Sequence, residues 1–115
     1  MRKILVAEDD ILLATIHEIT LSEAGFDVLV CRDGEQALAA MDAFDPDMLI
    51  TDFSMPRMNG GELADAVLAM RPALPILVAT GYADLPPGKG MELPRLSKPY
   101  SQQQLAAQIA LLAAS

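Results

Sequence analysis

Short apolar runs alternate along this chain with longer stretches whose apolar positions recur every three or four residues. Residues 4–7 (ILVA), 26–31 (FDVLVC), 48–51 (MLIT) and 76–79 (ILVA) have strand length and end in turn formers or acids. Such runs read as strands covered by helices on both faces of a parallel sheet. Between them, Leu13, Ile16, Thr20 and Ala24 predict one helical inner face that stops at Gly25. Ala37, Leu38 and Met41 predict a second, Leu63, Val67 and Met70 a third, and Leu105, Ile109 and Leu112 a last one. Asp33 with Gln36, Asn59 with Glu62, and Ser101 with Gln104 have the spacing of N-caps with capping boxes. A short strand at 95–97 completes the alternation. The chain therefore predicts an α/β fold, a doubly wound five-stranded parallel sheet with right-handed crossovers and helices on both faces. Residues 81–93 interrupt the rhythm. They hold Pro86, Pro87, Gly88 and Gly90, so the helix expected between the last two strands is predicted to be short or distorted.

Composition narrows this picture. The 115 residues suit one domain, 1–115, that buries roughly two-thirds of its unfolded surface. With 52% of residues apolar and 4% aromatic, the core must be aliphatic. Lys and Arg number 8 against 16 Asp and Glu, a formal charge of −8, which argues against direct contact with nucleic acid or an anionic membrane surface. Cys31 is the single cysteine, so no internal disulfide forms, and a reducing, cytoplasmic compartment is expected. No apolar run reaches the roughly 18 residues that a membrane span needs.

The chemistry gathers at the strand ends. All strands of a parallel sheet point the same way, so the residues just beyond them share one rim, where open α/β sheets bind ligands. Here those residues are Glu8, Asp9, Asp52, Thr80 and Lys98. Each alone is a turn residue, a cap or a solvated charge; together they form a constellation. Crowded carboxylates repel one another and call for a cation, and hard oxygen ligands favour Mg²⁺. A carboxylate is also a nucleophile toward phosphorus, and phosphoryl transfer asks a protein mainly for positioning and charge neutralisation.

From ILVAEDD at Ile4 through TDFSMPRMNG at Thr51 and ATGY at Ala79 to LSKPY at Leu96, the chain resembles the receiver domains of two-component response regulators. The resemblance implies the flavodoxin-like strand order 2-1-3-4-5. It implies Asp52 as phosphoacceptor, Glu8, Asp9, Asp52 and the Ser54 backbone carbonyl as Mg²⁺ ligands, and Thr80 and Lys98 as contacts to the phosphoryl group. A cis Lys98–Pro99 bond belongs to the same pattern. The implied partners are a histidine kinase or phosphotransfer protein as donor and a downstream protein as receiver of the signal, with dimerisation on phosphorylation. Such a protein phosphorylates and dephosphorylates itself and is not a turnover enzyme. With one helix left after Tyr100, the expectation is a receiver without an output domain, either standing alone or cut from a hybrid kinase.

Several positions depart from the usual receiver. The place of the inward-swinging aromatic in the final strand holds Arg95. Aromatics stand instead at Tyr82 and Tyr100, and PILVATGY is similar to the motif of the FATGUY subgroup, with Ile76 and Val78 where that motif has Phe. Tyr82 and Tyr100 read equally as switch residues or half-buried packing aromatics. Ser54 and Tyr82 flank the path that the resemblance gives to the hydrolytic water. His17 reads as a surface or boundary residue, and Arg57 as a loop residue open to a partner. Residues 83–93 are expected to be loose until phosphorylation orders them. Two other functions compete. One is a small-molecule phosphatase with an aspartyl-phosphate intermediate, for which Ser54 stands where a second acid is needed; the other is a receiver-like adaptor that binds constitutively.

Overall fold

A computed structural model describes residues 3–80, 95–97 and 100–114 of the chain. The elements run β1 (Lys3–Ala7), α1 (Ile11–Glu23), β2 (Asp27–Cys31), α2 (Gly34–Phe44), β3 (Met48–Asp52), α3 (Gly60–Met70), β4 (Ile76–Thr80), β5 (Arg95–Ser97) and α4 (Gln102–Ala114). The sheet is parallel with strand order β2-β1-β3-β4-β5. This is the predicted doubly wound architecture. The predicted distorted helix, the expected looseness of 83–93, Tyr82, Lys98 and the Lys98–Pro99 bond lie outside the described residues.

The unbroken apolar runs are explained by the two cores. Leu5, Ala7, Leu49, Ile76 and Val78 pack against Ala37 and Met41 of α2 and Leu63, Ala64 and Val67 of α3. The alternate residues Ile4, Val6, Met48, Ile50 and Leu77 face Leu21 of α1 and Leu105 and Ile109 of α4. Side chains of period two thus feed both faces of each central strand, and no polar position is tolerated until the strand ends.

Local chemistry starts and stops the helices much as their sequences suggest. Asn59 Oδ1 accepts from Glu62 N at 2.8 Å while Asn59 N donates to Glu62 Oε1 at 3.0 Å, a complete capping box. Ser101 and Gln104 make the same reciprocal pair before α4. At α2 the box is half formed: Asp33 Oδ1 caps Gln36 N at 2.8 Å, but Gln36 Oε1 accepts from Arg32 N, one residue before the cap. Gly25 takes φ +99° just after α1, a left-handed turn that an L side chain resists.

Two inner faces are corrected by the structure. In α1 the buried residues are Ala14, His17 and Leu21, one position further along than predicted, and Ile16 is 42% exposed. Isoleucines and leucines lie nearly all round this helix, so spacing alone selected the wrong stripe. In α3, Met70 is 45% exposed; it is the last residue of the helix, which is capped at Arg71.

Gly60 ties this scaffold to the end of β3. Its N–H donates to Phe53 O at 2.7 Å, and a Cβ built at this position would meet the Asp52 carbonyl oxygen at 2.5 Å and Phe53 Cα at 2.9 Å. Backbone on both sides cannot yield cheaply. Gly60→Ala is expected to destabilise the fold by about 2 kcal/mol in urea unfolding. Asn59→Ala, which removes the cap but leaves room, should cost about 1 kcal/mol in the same measurement. An equal or reversed order would show that the close approach of α3 to β3 is not a constraint.

Candidate functional site: an acidic rim at the carboxyl edge of the sheet

Register brings the acids together. Ala7 of β1 is level with Thr51 of β3, and Asp52 is level with Ala79 of β4. Glu8 therefore follows β1 at the height of Asp52, and Thr80, the last residue of β4 and the partner of Ser97, lies one step beyond. The alternation that turns Ile4 and Val6 toward α1 and α4 continues to Glu8, and that of Met48 and Ile50 continues to Asp52. Both acids are buried, Glu8 1% and Asp52 7% exposed, while Asp9 beside them is exposed. One carboxylate oxygen from each of Glu8, Asp9 and Asp52 lies within 4.8 Å of the others.

The third acid of the EDD run has a different task. Asp10 Oδ1 caps α1 by accepting from Leu12 N at 2.9 Å and Leu13 N at 3.3 Å, and Asp10 N donates to Glu8 Oε2 at 3.2 Å. The helix start thus holds Glu8 in place and leaves Asp9 on the rim. Glu8 N also donates to Cys31 O at 3.0 Å, which extends the β1–β2 ladder by one residue.

Below Asp52 the backbone is fixed from both sides. Phe53 N donates to Ala79 O at 2.7 Å, and Thr51 Oγ1, buried, donates to Asp52 O at 2.9 Å. Beyond it, the exposed Ser54 opens the loop to α3, and Arg57 takes the left-handed conformation, φ 68°. Its guanidinium bonds Asp33 at 2.8 Å, with Glu35 at 3.4 Å, so the loop is tied to the start of α2. Arg57, read as a loop residue that could meet a partner, also bonds within the chain. Its 68% exposure still limits what the ion pair adds to stability.

Three carboxylate-bearing positions in reach of one another, two buried and one exposed, suit a hard divalent cation, which takes oxygen ligands and keeps several waters. Glu8, Asp9 and Asp52 could hold it. Of the remaining predicted site residues, Arg95 opens β5 opposite Val78, and Tyr100 stands half-buried before α4.

Tyr100 brings a residue that sequence reading missed. Its hydroxyl lies 2.6 Å from His17 Nε2, and the two rings stack with centroids 5.8 Å apart. His17, expected at the surface or its boundary, is buried, 5% exposed. A polar ring is tolerated inside when its polar atom is bonded, and the partner lies 83 positions away, out of reach of any local pattern. Burial pushes the Tyr100 hydroxyl pKa up, and the negative charges of Glu8 and then Asp52 push it further. The phenol keeps its proton and lies within electrostatic reach of the acidic rim.

Comparison with known proteins gives this geometry a family. The sequence profile of the response regulator receiver domain matches residues 4–110. The chain is 35% identical to the transcriptional regulatory protein CpxR of Klebsiella pneumoniae, over 95% of this chain and 48% of that one. It is 29% identical to the alkaline phosphatase synthesis transcriptional regulatory protein PhoP of Bacillus subtilis, over 94% of this chain and 47% of that one. The chain thus spans about half the length of these curated relatives. Among solved structures, the chemotaxis protein CheY4 of Vibrio cholerae superposes with a TM-score of 0.88 at 30% identity, covering 97% of this chain and 98% of that one. With an acidic rim at the carboxyl edge of a 2-1-3-4-5 sheet and a family match across nearly its whole length, this chain belongs to the receiver domains of two-component response regulators.

Proposed function

We propose that Asp52 is the phosphoacceptor of this receiver and that its phosphorylation changes which protein the chain binds. The observation that carries this reading is the buried Asp52 carboxylate at the end of β3, with oxygens of Glu8 and Asp9 within 4.8 Å. A carboxylate oxygen of Asp52 attacks the phosphorus of a phosphohistidine on a histidine kinase or phosphotransfer protein. The P–O bond forms as the P–N bond breaks, and the imidazole leaves as the neutral ring once it has taken a proton. Glu8, Asp9, Asp52 and the Ser54 carbonyl are the proposed ligands for Mg²⁺, which when bound offsets the charge gathered on the transferring group. The Thr80 hydroxyl and the Lys98 ammonium are the proposed donors to the phosphoryl oxygens. Ser54 and Tyr82 are proposed to border the approach of the hydrolytic water, and Arg95 to replace the usual switching aromatic.

The same residues favour a switch over an enzyme with external substrates. Two residues beyond Asp52, a phosphatase resembling the haloacid dehalogenases needs a second carboxylic acid, and this chain has the exposed Ser54. The formal charge of −8 speaks for a protein partner and against direct contact of this segment with nucleic acid. Among the described residues no helix is long and apolar enough to cross a membrane. The buried thiol of Cys31 suits a reducing cytoplasm.

An amide NMR titration with Mg²⁺ and then beryllofluoride, a stand-in for the phosphoryl group, tests the reading on wild type and Asp52→Ala. Wild type is expected to respond to both, with shifts centred on residues 8, 9, 52 and 80, and Asp52→Ala to ignore beryllofluoride. A wild type that ignores both ligands would sink the phosphoacceptor role and leave a constitutive adaptor. Metal binding to the native rim should also register as stability. At a hundred times its Kd, Mg²⁺ is expected to add about 2.7 kcal/mol to unfolding, a gain that Asp52→Ala largely loses. Equal Mg²⁺ effects on the two proteins would place the ion elsewhere.

A further inference from the structure

His17 and Tyr100 join the middle of α1 to the residue that leads into α4. His17 lies in the middle of α1, whose first turn is capped by Asp10 directly after Glu8 and Asp9. Tyr100 immediately precedes Ser101, the residue that caps α4, and follows Lys98 by two positions, at most about 7 Å of chain. Whatever fixes Tyr100 therefore fixes the entry to α4.

Packing does not do this alone. On its inner side Tyr100 rests on the core shared by Ile4, Val6, Ile50 and Leu105. On its outer side lies an open groove of about 460 Å³ between α1 and α4, lined by Leu13, Ile16, Thr20, Gln102 and Leu105. A ring with empty space on one flank is free to turn unless a directional bond holds it. The bond is present: Oη and Nε2 are 2.6 Å apart, the rings lie 9° from parallel, and His17 is buried. The phenol, which keeps its proton, can donate to an imidazole nitrogen that carries none. A second link, Gln102 Nε2 to Thr20 Oγ1 at 3.1 Å, is solvent-exposed and adds less.

We propose that His17 is a positioning residue for the rim: through its bond to Tyr100 it sets where Tyr100, two positions after Lys98 in the sequence, stands relative to Glu8 and Asp52. In doing so it favours binding of an anionic phosphoryl group beside Asp52 while leaving the metal ligands untouched. The inference rests on the receiver reading, in which Lys98 in that stretch of chain meets the anion. Position acts here through geometry. His17 touches neither metal nor phosphoryl group, but its loss lets Tyr100 turn into the groove.

The test separates anion binding from metal binding. Mg²⁺ affinity alone, and beryllofluoride affinity at saturating Mg²⁺ read by fluorine NMR, are measured on wild type, His17→Leu, Tyr100→Phe, the double variant and His17→Gln. His17→Leu and Tyr100→Phe are each expected to weaken beryllofluoride binding about tenfold, the scale of one lost buried hydrogen bond. Mg²⁺ affinity should stay unchanged. The double variant should be no worse than either single one, as for two residues that act through one bond. His17→Gln, which keeps an acceptor near the place of Nε2, should recover most of the affinity. Should His17→Leu fail to fold, Tyr100→Phe, which keeps the ring and its stack, decides alone. Unchanged beryllofluoride affinity in Tyr100→Phe would overturn the proposal, as would a parallel fall in Mg²⁺ affinity and urea midpoint, which marks a merely structural bond. A wild type blind to beryllofluoride would instead overturn the receiver reading itself, and this inference with it.

Discussion

Glu8 and Asp52, almost wholly buried and held side by side at the sheet edge, are the constraint around which this chain is arranged. Carboxylates withdrawn from water repel one another and lose hydration, and such an arrangement persists only when the surrounding structure forces it. Here the forcing is done by apolar strands. β1 and β3 pair through Ile4 to Met48 and on to Ala7 with Thr51, and each of these residues is buried. A slip of one residue would turn Ile4, Val6 and Ile50 toward the opposite helices and would also part the acids. The register that hides the hydrophobic residues is thus the register that assembles the rim.

The two faces of the sheet divide the remaining work. On the side of α2 and α3, the loop after Asp52 is held by the close approach of Gly60, by the Asn59 capping box and by the ion pair of Arg57 with Asp33. These contacts fix the backbone that carries Asp52. On the side of α1 and α4, the parity of the strands sends the Glu8 and Asp52 side chains toward the same layer that contains His17 and Tyr100. The first face supplies rigidity. The second supplies the polar groups able to sense a change of charge at the rim, since Tyr100 already feels both acids.

Much of this was legible in the sequence, for identifiable reasons. The strands were readable because residues covered on both faces leave an unbroken apolar run, and the acids were readable because such a run must end where the polar chemistry begins. Caps at Asn59 and Ser101 are local, so three residues suffice to announce them. α1 was not readable in the same way. Its apolar residues surround it, and the stripe that faces the sheet is chosen by tertiary contact: Ala14, His17 and Leu21 are inside while Ile11, Leu12, Ile16 and Ile19 stay exposed. Polarity alone put His17 outside, because the hydroxyl that satisfies it belongs to the far end of the chain.

On the proposed reading, phosphorylation acts by adding charge to a place already crowded with it. An Asp52 carboxylate carries one negative charge, whereas its phosphoryl derivative carries close to two and presents additional acceptor oxygens. In the company of Glu8 and Asp9 that increment is unfavourable until cations and donors are drawn in around it. Tyr100, whose hydroxyl bonds His17 Nε2 and whose ring borders the groove between α1 and α4, is one group placed to respond to that charge. The charge added at Asp52 is therefore felt at a contact that lies against α1, where a change in one ring is passed to the surface between two helices.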